Sequence, residues 1–281
     1  STLFPYTTLF RSVIRDEKPW YFMEEKYPEL GNLMPRDVVS REMYFISREI
    51  PGGIFLDMRG LSKEIWEKKL PDLRMEIIHY LGIDPKVTPV PVEPGIHYFM
   101  GGIDVDAGHH TNIKGLYAAG ECCSQYHGAN RLGGNSTIGA IYGGRVAAQS
   151  LSQEGCVNYP GEGAKESGDN VLFENNPADC GLVKEIRDIL TGALGIVRNG
   201  HDIEKSISDL EDLKTKVIRG PKEEASLLLA EAMLRSASFR KESRGAHYRS
   251  DYPETLDEYK GKTLAFLNSI CKPEIIFSRQ D

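Results

Sequence analysis

The stretch HYFMGGIDVDAGHHTNIKGLYAAGECCSQYHGANRLGGNSTIGAIYGGR, His97 to Arg145, holds the densest concentration of glycines and oriented polar residues in the chain. It reads as three successive pieces. HYFMGG sets His97 two residues after the Pro94-Gly95 turn and ahead of a glycine pair. GLYAAGE predicts a short apolar strand, Leu116 to Ala119, ending in Gly120 and Glu121. HGANRLGGNS, His127 to Ser136, predicts a glycine-rich loop running into a helix that starts near Gly134-Asn135 and continues through Ile138, Ile141, Tyr142 and Val146.

Each piece has a chemical use. A strand ending in Gly120-Glu121 lets backbone approach a ligand closely and sets a carboxylate where a ribose or ribityl hydroxyl would meet it. The free N–H groups and positive dipole end of the following helix favour negative charge. Arg131, just before that helix, offers a planar fork of donors that matches a carboxylate or phosphate two bonds at a time.

In this order, HYFMGG, GLYAAGE and HGANRLGGNS closely resemble the flavoprotein subunit of succinate dehydrogenase and fumarate reductase, and more loosely L-aspartate oxidase. NLMPRDVVSR (Asn32 to Arg41) and FLDMRGL (Phe55 to Leu61) resemble the capping domain of the same family. RKESRGAHYRSDYPE (Arg240 to Glu254) resembles its post-helical segment, which leads back towards the flavin domain. The resemblance covers nearly all of residues 13–254 but only the C-terminal half or so of the family.

The resemblance implies FAD as cofactor and the interconversion of succinate and fumarate, with hydride transfer to or from flavin N5 and proton transfer by an arginine. It places that catalytic role on Arg36 of PRDVVSR, and substrate carboxylate binding on His97 and Arg131. Glu121 would bind FAD hydroxyls, and Ser136 and Thr137 would meet the isoalloxazine ring near N1 and O2. The family usually has Ser-Leu-Leu where this chain has Ser136-Thr137-Ile138, a departure expected to alter packing more than chemistry. Arginine is a poor acid near neutrality, so Arg36 can act only as a relay resupplied by its neighbours. Taken as single residues, Arg36 reads as a surface arginine, His97 as a satisfied polar residue and Arg131 as a helix-end or ion-paired arginine. The motifs reverse that weighting. His127 reads as a structural residue that orients its loop.

The resemblance also implies an iron–sulfur partner subunit, a membrane anchor, and a place in the cytoplasm or on the cytoplasmic face of a membrane. L-Aspartate oxidase is the nearest rival reading, and a non-catalytic electron-transfer or assembly module is the rival from another class. The chain shows no G-x-G-x-x-G after an N-terminal strand to hold a pyrophosphate; GAIYGGR, Gly139 to Arg145, falls inside the expected helix. The family's flavin-attaching histidine also lies upstream of the matched part. The expectation is therefore an N-terminally truncated enzyme whose present part binds FAD poorly.

Composition bounds these readings. The 281 residues are 40% hydrophobic and 27% charged, ordinary for a globular chain. The net charge of −7, with no basic run, argues against nucleic-acid binding as the main role. The longest uncharged runs are too short and too polar to span a bilayer. Five cysteines without framework spacing suggest a reducing compartment, and Cys122-Cys123 read as buried small residues. His109-His110 have no third ligand nearby and read as a solvated pair on a hairpin, so no metal site is expected.

The expected fold class is a mixed α/β (α+β) chain in several parts. Residues 1–12 resemble a translated short-read sequencing adapter and read as foreign to the gene. Residues 13–93 read as a partial capping domain, with helices at Asp37–Arg48, from Ser62, and at Pro71–Leu81, and a strand at Ile54–Met58. Residues 94–152 read as the C-terminal part of the FAD-binding domain, and 153–180 as a linker. Apolar stripes through Leu182, Ile203 and Leu227 predict a three-helix bundle over 181–245. Residues 246–281 form a tail with a strand at Glu274–Phe277; the charged run from Arg240 to Glu254 predicts surface ion pairs.

Overall fold

Residues 10–15, 18–123, 125–154, 180–216 and 220–279 are described by the computed structural model. Most of the adapter-like segment and of the expected linker lie outside them. The chain divides into two units, Ser1–His97 and Tyr98–Asp281.

In the first unit, the spacing of Val39, Met43 and Ile46 turns one side of α2 (Arg36–Glu49) into an apolar stripe. That stripe packs against Val13, Phe22, Met23 and Ile54. The sheet is wholly antiparallel, with the order β2 (Lys18–Trp20), β1 (Phe10–Arg15), β3 (Ile54–Asp57), β4 (Val90–Val92). Pro91 sits on the edge strand β4, where a missing N–H breaks no ladder. A second cluster gathers Met58, Trp66, Leu70 and Val90. Ser62 caps α3 (Lys63–Lys68) by accepting from the Ile65 N–H at 3.4 Å. Helix α4 (Pro71–Leu81) begins on its proline and stops at Gly82, whose φ of 66° is the left-handed turn glycine permits.

In the second unit, α5 (Asn135–Glu154) starts where the glycine-rich loop ends. Helices α6 (Cys180–Leu194), α7 (Gly200–Lys216) and α8 (Pro221–Phe239) enclose a core of Leu182, Ile186, Ala193, Ile203, Leu210, Leu213, Leu227 and Leu234. The expected bundle is therefore present. Among the described residues, two polar residues are buried within it: Ser206, whose hydroxyl donates to the Ile189 carbonyl at 3.3 Å, and Glu231, which pairs with Lys214 and with Arg235, the latter at 2.7 Å. The tail is a complete hairpin of β5 (Gly261–Leu267) and β6 (Pro273–Arg279), and Phe277 stacks on Phe239 at the end of α8.

Four local expectations are corrected. Leu116–Ala119 is not a strand; Tyr117 makes one isolated bridge to His110, because the Thr111–Leu116 and His109–Ala118 backbone bonds close a narrow hairpin with no further strand beside it. His109 is not solvated but buried, its Nδ1 2.7 Å from the Ala118 carbonyl. Cys123 is buried as expected, yet Cys122 beside it is exposed, because successive side chains leave a three-residue turn about 120° apart. The Arg240–Glu254 run is not a surface: Glu242, Ser243 and Arg249 are buried, since each charge meets a partner within the segment.

Candidate active site

The second unit draws the three motif pieces of the opening stretch together. Gly102 is bridged to Cys123, and the Ile103 N–H donates to the Cys122 carbonyl at 2.8 Å. A Cβ on Gly102 would lie 2.1 Å from that carbonyl oxygen, and its φ of 122° is one that favours glycine. Glu121, in the turn Gly120–Cys122, accepts from the Phe99 N–H at 2.9 Å. The Phe99–Ile103 backbone is thus fastened to the Gly120–Cys122 turn by two independent bonds.

Helix α5 lies against the same turn through its glycines. A Cβ on Gly143 would meet the Gly120 nitrogen at 3.3 Å and His109 at 2.9 Å; one on Gly139 would meet the rings of Tyr126 and His127 at 2.8 and 2.9 Å. Tyr126 locks this packing, its hydroxyl donating to the Gly139 carbonyl at 2.9 Å. Ser136 is half-buried and Thr137 exposed in the first turn of α5. Beyond them Ile138, Ile141 and Tyr142 stand 66%, 69% and 59% exposed. An apolar face thus adjoins a helix start.

Arg131 sits in the loop before α5. One of its terminal nitrogens donates to the Leu132 carbonyl at 3.0 Å, and its guanidinium lies 4.7 Å from the centre of the Tyr98 ring. Tyr98 in turn meets the His127 ring edge-on at 5.5 Å. Burial first, and the Arg131 charge second, lower the His127 pKa and keep that imidazole neutral. Three buried polar atoms in this group make no hydrogen bond among the described residues: Tyr98 Oη, His127 Nε2 and Arg131 Nε. Each such atom costs about 1–3 kcal/mol when left without a partner, so the three together form a polar group that water or a polar ligand would satisfy. Sequence reasoning singled out Arg131 but passed over Tyr98 and left His127 structural. Their signal was present in the motifs, one residue after His97 and at the head of HGANR.

Arg36 and His97 belong to the first unit. Arg36 is the first residue of α2 and lines a cavity of about 260 Å³ with Val39, Ser40, Met43, Val92 and Glu93. His97 is exposed on the segment that follows β4. Among the described residues, no group of three His, Cys, Asp or Glu has the geometry of a metal site. No helix there is long and apolar enough to cross a membrane.

Glu121, the α5 start and the bare apolar face fit the flavin end of FAD: an acceptor for hydroxyls, positive potential for an anionic ring edge, and apolar surface for the ring plane. The comparisons agree. The family model described as FAD binding domain matches residues 12–137, and that described as Fumarate reductase flavoprotein C-term matches residues 222–276. The succinate dehydrogenase flavoprotein subunit of Bacillus subtilis (strain 168) is 32% identical, over 89% of this chain and 49% of the relative. The L-aspartate oxidase of Pyrococcus furiosus is 37% identical, over 84% of this chain and 46% of the relative. Among solved structures, E. coli quinol fumarate reductase FrdA superposes with a TM-score of 0.80 at 30% identity, covering 97% of this chain and 54% of that one. The chain spans about half the length of the curated relatives it matches.

Fold, site and likenesses together define part of an FAD-binding flavoprotein. More narrowly, the chain belongs to the succinate dehydrogenase/fumarate reductase flavoprotein family, which also has L-aspartate oxidase among its relatives.

Proposed function

We propose that this chain is the substrate-clamping part of a flavoenzyme that interconverts succinate and fumarate. The observation that carries this reading is the buried, unpartnered Nε of Arg131 beside the unpartnered Tyr98 hydroxyl and His127 imidazole. A carboxylate would accept from all three, with the His127 proton on Nε2 and the Arg131 guanidinium as its counter-charge. Arg131 would hold one substrate carboxylate through its planar fork, and His97 would bond the other. Fixing both ends of a four-carbon diacid aligns its central carbons and polarises the carboxylate next to developing carbanion charge. Arg36 would pass a proton to or from the substrate carbon, relayed from groups around it. FAD, when bound, supplies the ring that takes or gives the hydride. Glu121, Ser136 and Thr137 would hold that cofactor.

The same reading implies an iron–sulfur partner subunit and a place in the cytoplasm or on the cytoplasmic face of a membrane. L-Aspartate oxidation is the second reading, favoured by the 37% identity to the Pyrococcus furiosus enzyme. An amino diacid would use the same histidine–arginine clamp. Anaerobic addition of each acid to the FAD-loaded protein separates them. Bleaching of the flavin absorbance by succinate, and not by L-aspartate, is the expected result. The opposite pattern would move the assignment to the oxidase.

A further inference from the structure

The segment after α8 is held by its own internal bonds and, from His247 to Asp251, by bonds to the helix bundle. Glu242, fully buried, accepts from Arg244 Nε at 3.1 Å, from Arg240 and from the Leu256 N–H at 3.1 Å. The Ser243 hydroxyl bonds the Arg249 N–H at 2.8 Å and the Tyr252 carbonyl at 2.8 Å. Arg249, 2% exposed, donates to the Ala237 carbonyl at 3.2 Å and to both oxygens of Asp251. The Arg198 N–H donates to the Tyr248 carbonyl at 3.0 Å, and the Ser250 N–H to the Arg198 carbonyl at 2.8 Å, tying the segment to the connection between α6 and α7. Its tip points elsewhere. The Ala246 N–H donates to the carbonyl of Ala129 at 3.0 Å, in the loop that carries Arg131 two residues later. Gly245 makes that approach geometrically feasible. Its φ is 57°, and a Cβ there would lie 2.4 Å from the Ala129 oxygen and 2.6 Å from its carbonyl carbon. Backbone stands against backbone, so no flexible side chain can give way.

We propose that Gly245 and Ala246 form a positioning brace that sets Arg131 for its ligand from the rigid helix bundle. This rests on the reading of Arg131 as a carboxylate clamp. Within the loop, Arg131 and the Asn135 N–H both donate to the Leu132 carbonyl, next to Arg131 itself. A fixed anchor outside the loop adds a constraint that these local bonds do not supply. Misplacement by about 1 Å costs a reacting or clamping group on the order of a hundredfold. The brace also makes binding and loop order reciprocal, because a ligand that needs the braced loop must stabilise the brace by the same factor.

Amide hydrogen exchange and fumarate titration on the whole chain test this, with Gly245→Ala as variant. Gly115→Ala is the control, because Gly115 has a φ of 80° but open space around its Cβ position, so it imposes backbone strain without a clash. In Gly245→Ala, exchange across residues 127–132 should rise about tenfold and fumarate affinity should fall ten- to about a hundredfold. Exchange in α6 and α7, and both readouts in the control, should match the unsubstituted protein. Unchanged loop exchange, acceleration spread evenly over the bundle, or unchanged fumarate affinity with a loosened loop would each overturn the brace. A second measurement needs no variant: saturating fumarate should slow exchange of the Ala246 amide, and an unaltered rate in a protein that binds fumarate refutes the coupling. If the unsubstituted chain binds no dicarboxylate while Gly245→Ala still loosens residues 127–132, the clamp reading fails and the brace stands.

Discussion

The guanidinium of Arg131 lies 4.7 Å from the centre of the Tyr98 ring, and the buried Tyr98 hydroxyl and Arg131 Nε both lack a hydrogen-bond partner among the described residues. The ring face restrains the cation, one terminal nitrogen is taken by the Leu132 carbonyl, and Nε is left for a ligand. Lysine in place of Arg131 would keep the charge but lose the two parallel bonds. Arg131→Lys should therefore weaken succinate and fumarate binding by about 1.5–3 kcal/mol, roughly ten- to a hundredfold. Tyr98→Leu should cost about 1–2.5 kcal/mol, through the lost ring contact and the lost hydroxyl bond to the carboxylate. Calorimetric titration measures both, and undiminished binding by Arg131→Lys would remove the clamp.

Helix α5 offers an internal comparison between two of its own glycines. A Cβ on Gly139 would meet Tyr126 and His127 ring atoms at 2.8 and 2.9 Å, whereas none of the surroundings lies within 4 Å of a Cβ on Gly144. Alanine is the better helix former by about 0.8–1 kcal/mol. Gly144→Ala should stabilise the protein by about that amount. Gly139→Ala should destabilise it by about 1–3 kcal/mol, because two packed rings must move. Denaturant titration of both variants decides it; equal effects would mean that α5 does not rest on Tyr126 and His127.

Glu242 is the buried counter-charge of two arginines. Burial pushes its pKa up, but the bonds from Arg244 and Arg240 outweigh that and hold it below the usual carboxylate range. Glu242→Gln keeps the shape and removes the charge, leaving two cations facing an uncharged amide. A loss of about 3–5 kcal/mol is expected, since one partner of a buried ionic group is removed. Chemical denaturation reads this directly, and a change under about 1 kcal/mol would show that the cluster is screened by solvent.

Helices and loop motifs were legible in the sequence because their signals are local. The stripes through Leu182, Ile203 and Leu227 recur at helical spacing, and all three residues are in the bundle core. Pro71 and Gly82 punctuate α4 by rules that act within one turn. Arg131 carried its chemistry in its own motif. What escaped were effects between distant residues. His109 looked polar and solvated, yet the carbonyl of Ala118 satisfies it and α5 covers it. The run from Arg240 to Glu254 looked like surface because composition counts charges and cannot see that Glu242 meets Arg240 and Arg244 while Arg249 meets Asp251. The meeting of Gly245 with Ala129 spans more than a hundred residues and leaves no periodic trace. Strand β5 went unread because Gly261–Leu267 has a short, mixed pattern that becomes a strand through pairing with β6.

The acid dependence of stability should come in two stages. His247 accepts from an Arg198 terminal nitrogen at 2.9 Å on Nδ1, and its Nε2 lies 3.2 Å from the Arg240 carbonyl, so the neutral tautomer with a proton on Nε2 fits both. Burial, and then the Arg198 charge, push its pKa down to about 4 from the ordinary 6.5. Below pH 6.5 the unfolded chain takes up this proton and the folded chain does not, so folding loses ground as pH falls from 6.5 towards 4. The slope should approach about 1.4 kcal/mol per pH unit for one proton. Asp57 and Asp251 are held at about 2 by Arg59 and Arg249, so their contribution persists down to 3.8 and disappears between there and 2. His110 has a pKa raised chiefly by Asp106; its contribution is complete below 6.5 and is lost only as pH rises through its folded value, so it does not mask the first stage. Denaturation midpoints followed from pH 7 to 3 should therefore show an early decline that His247→Gln removes and a later one that it leaves in place. A profile flat from pH 6.5 to 4 in the unsubstituted protein would mean that His247 is open to protonation in the folded state.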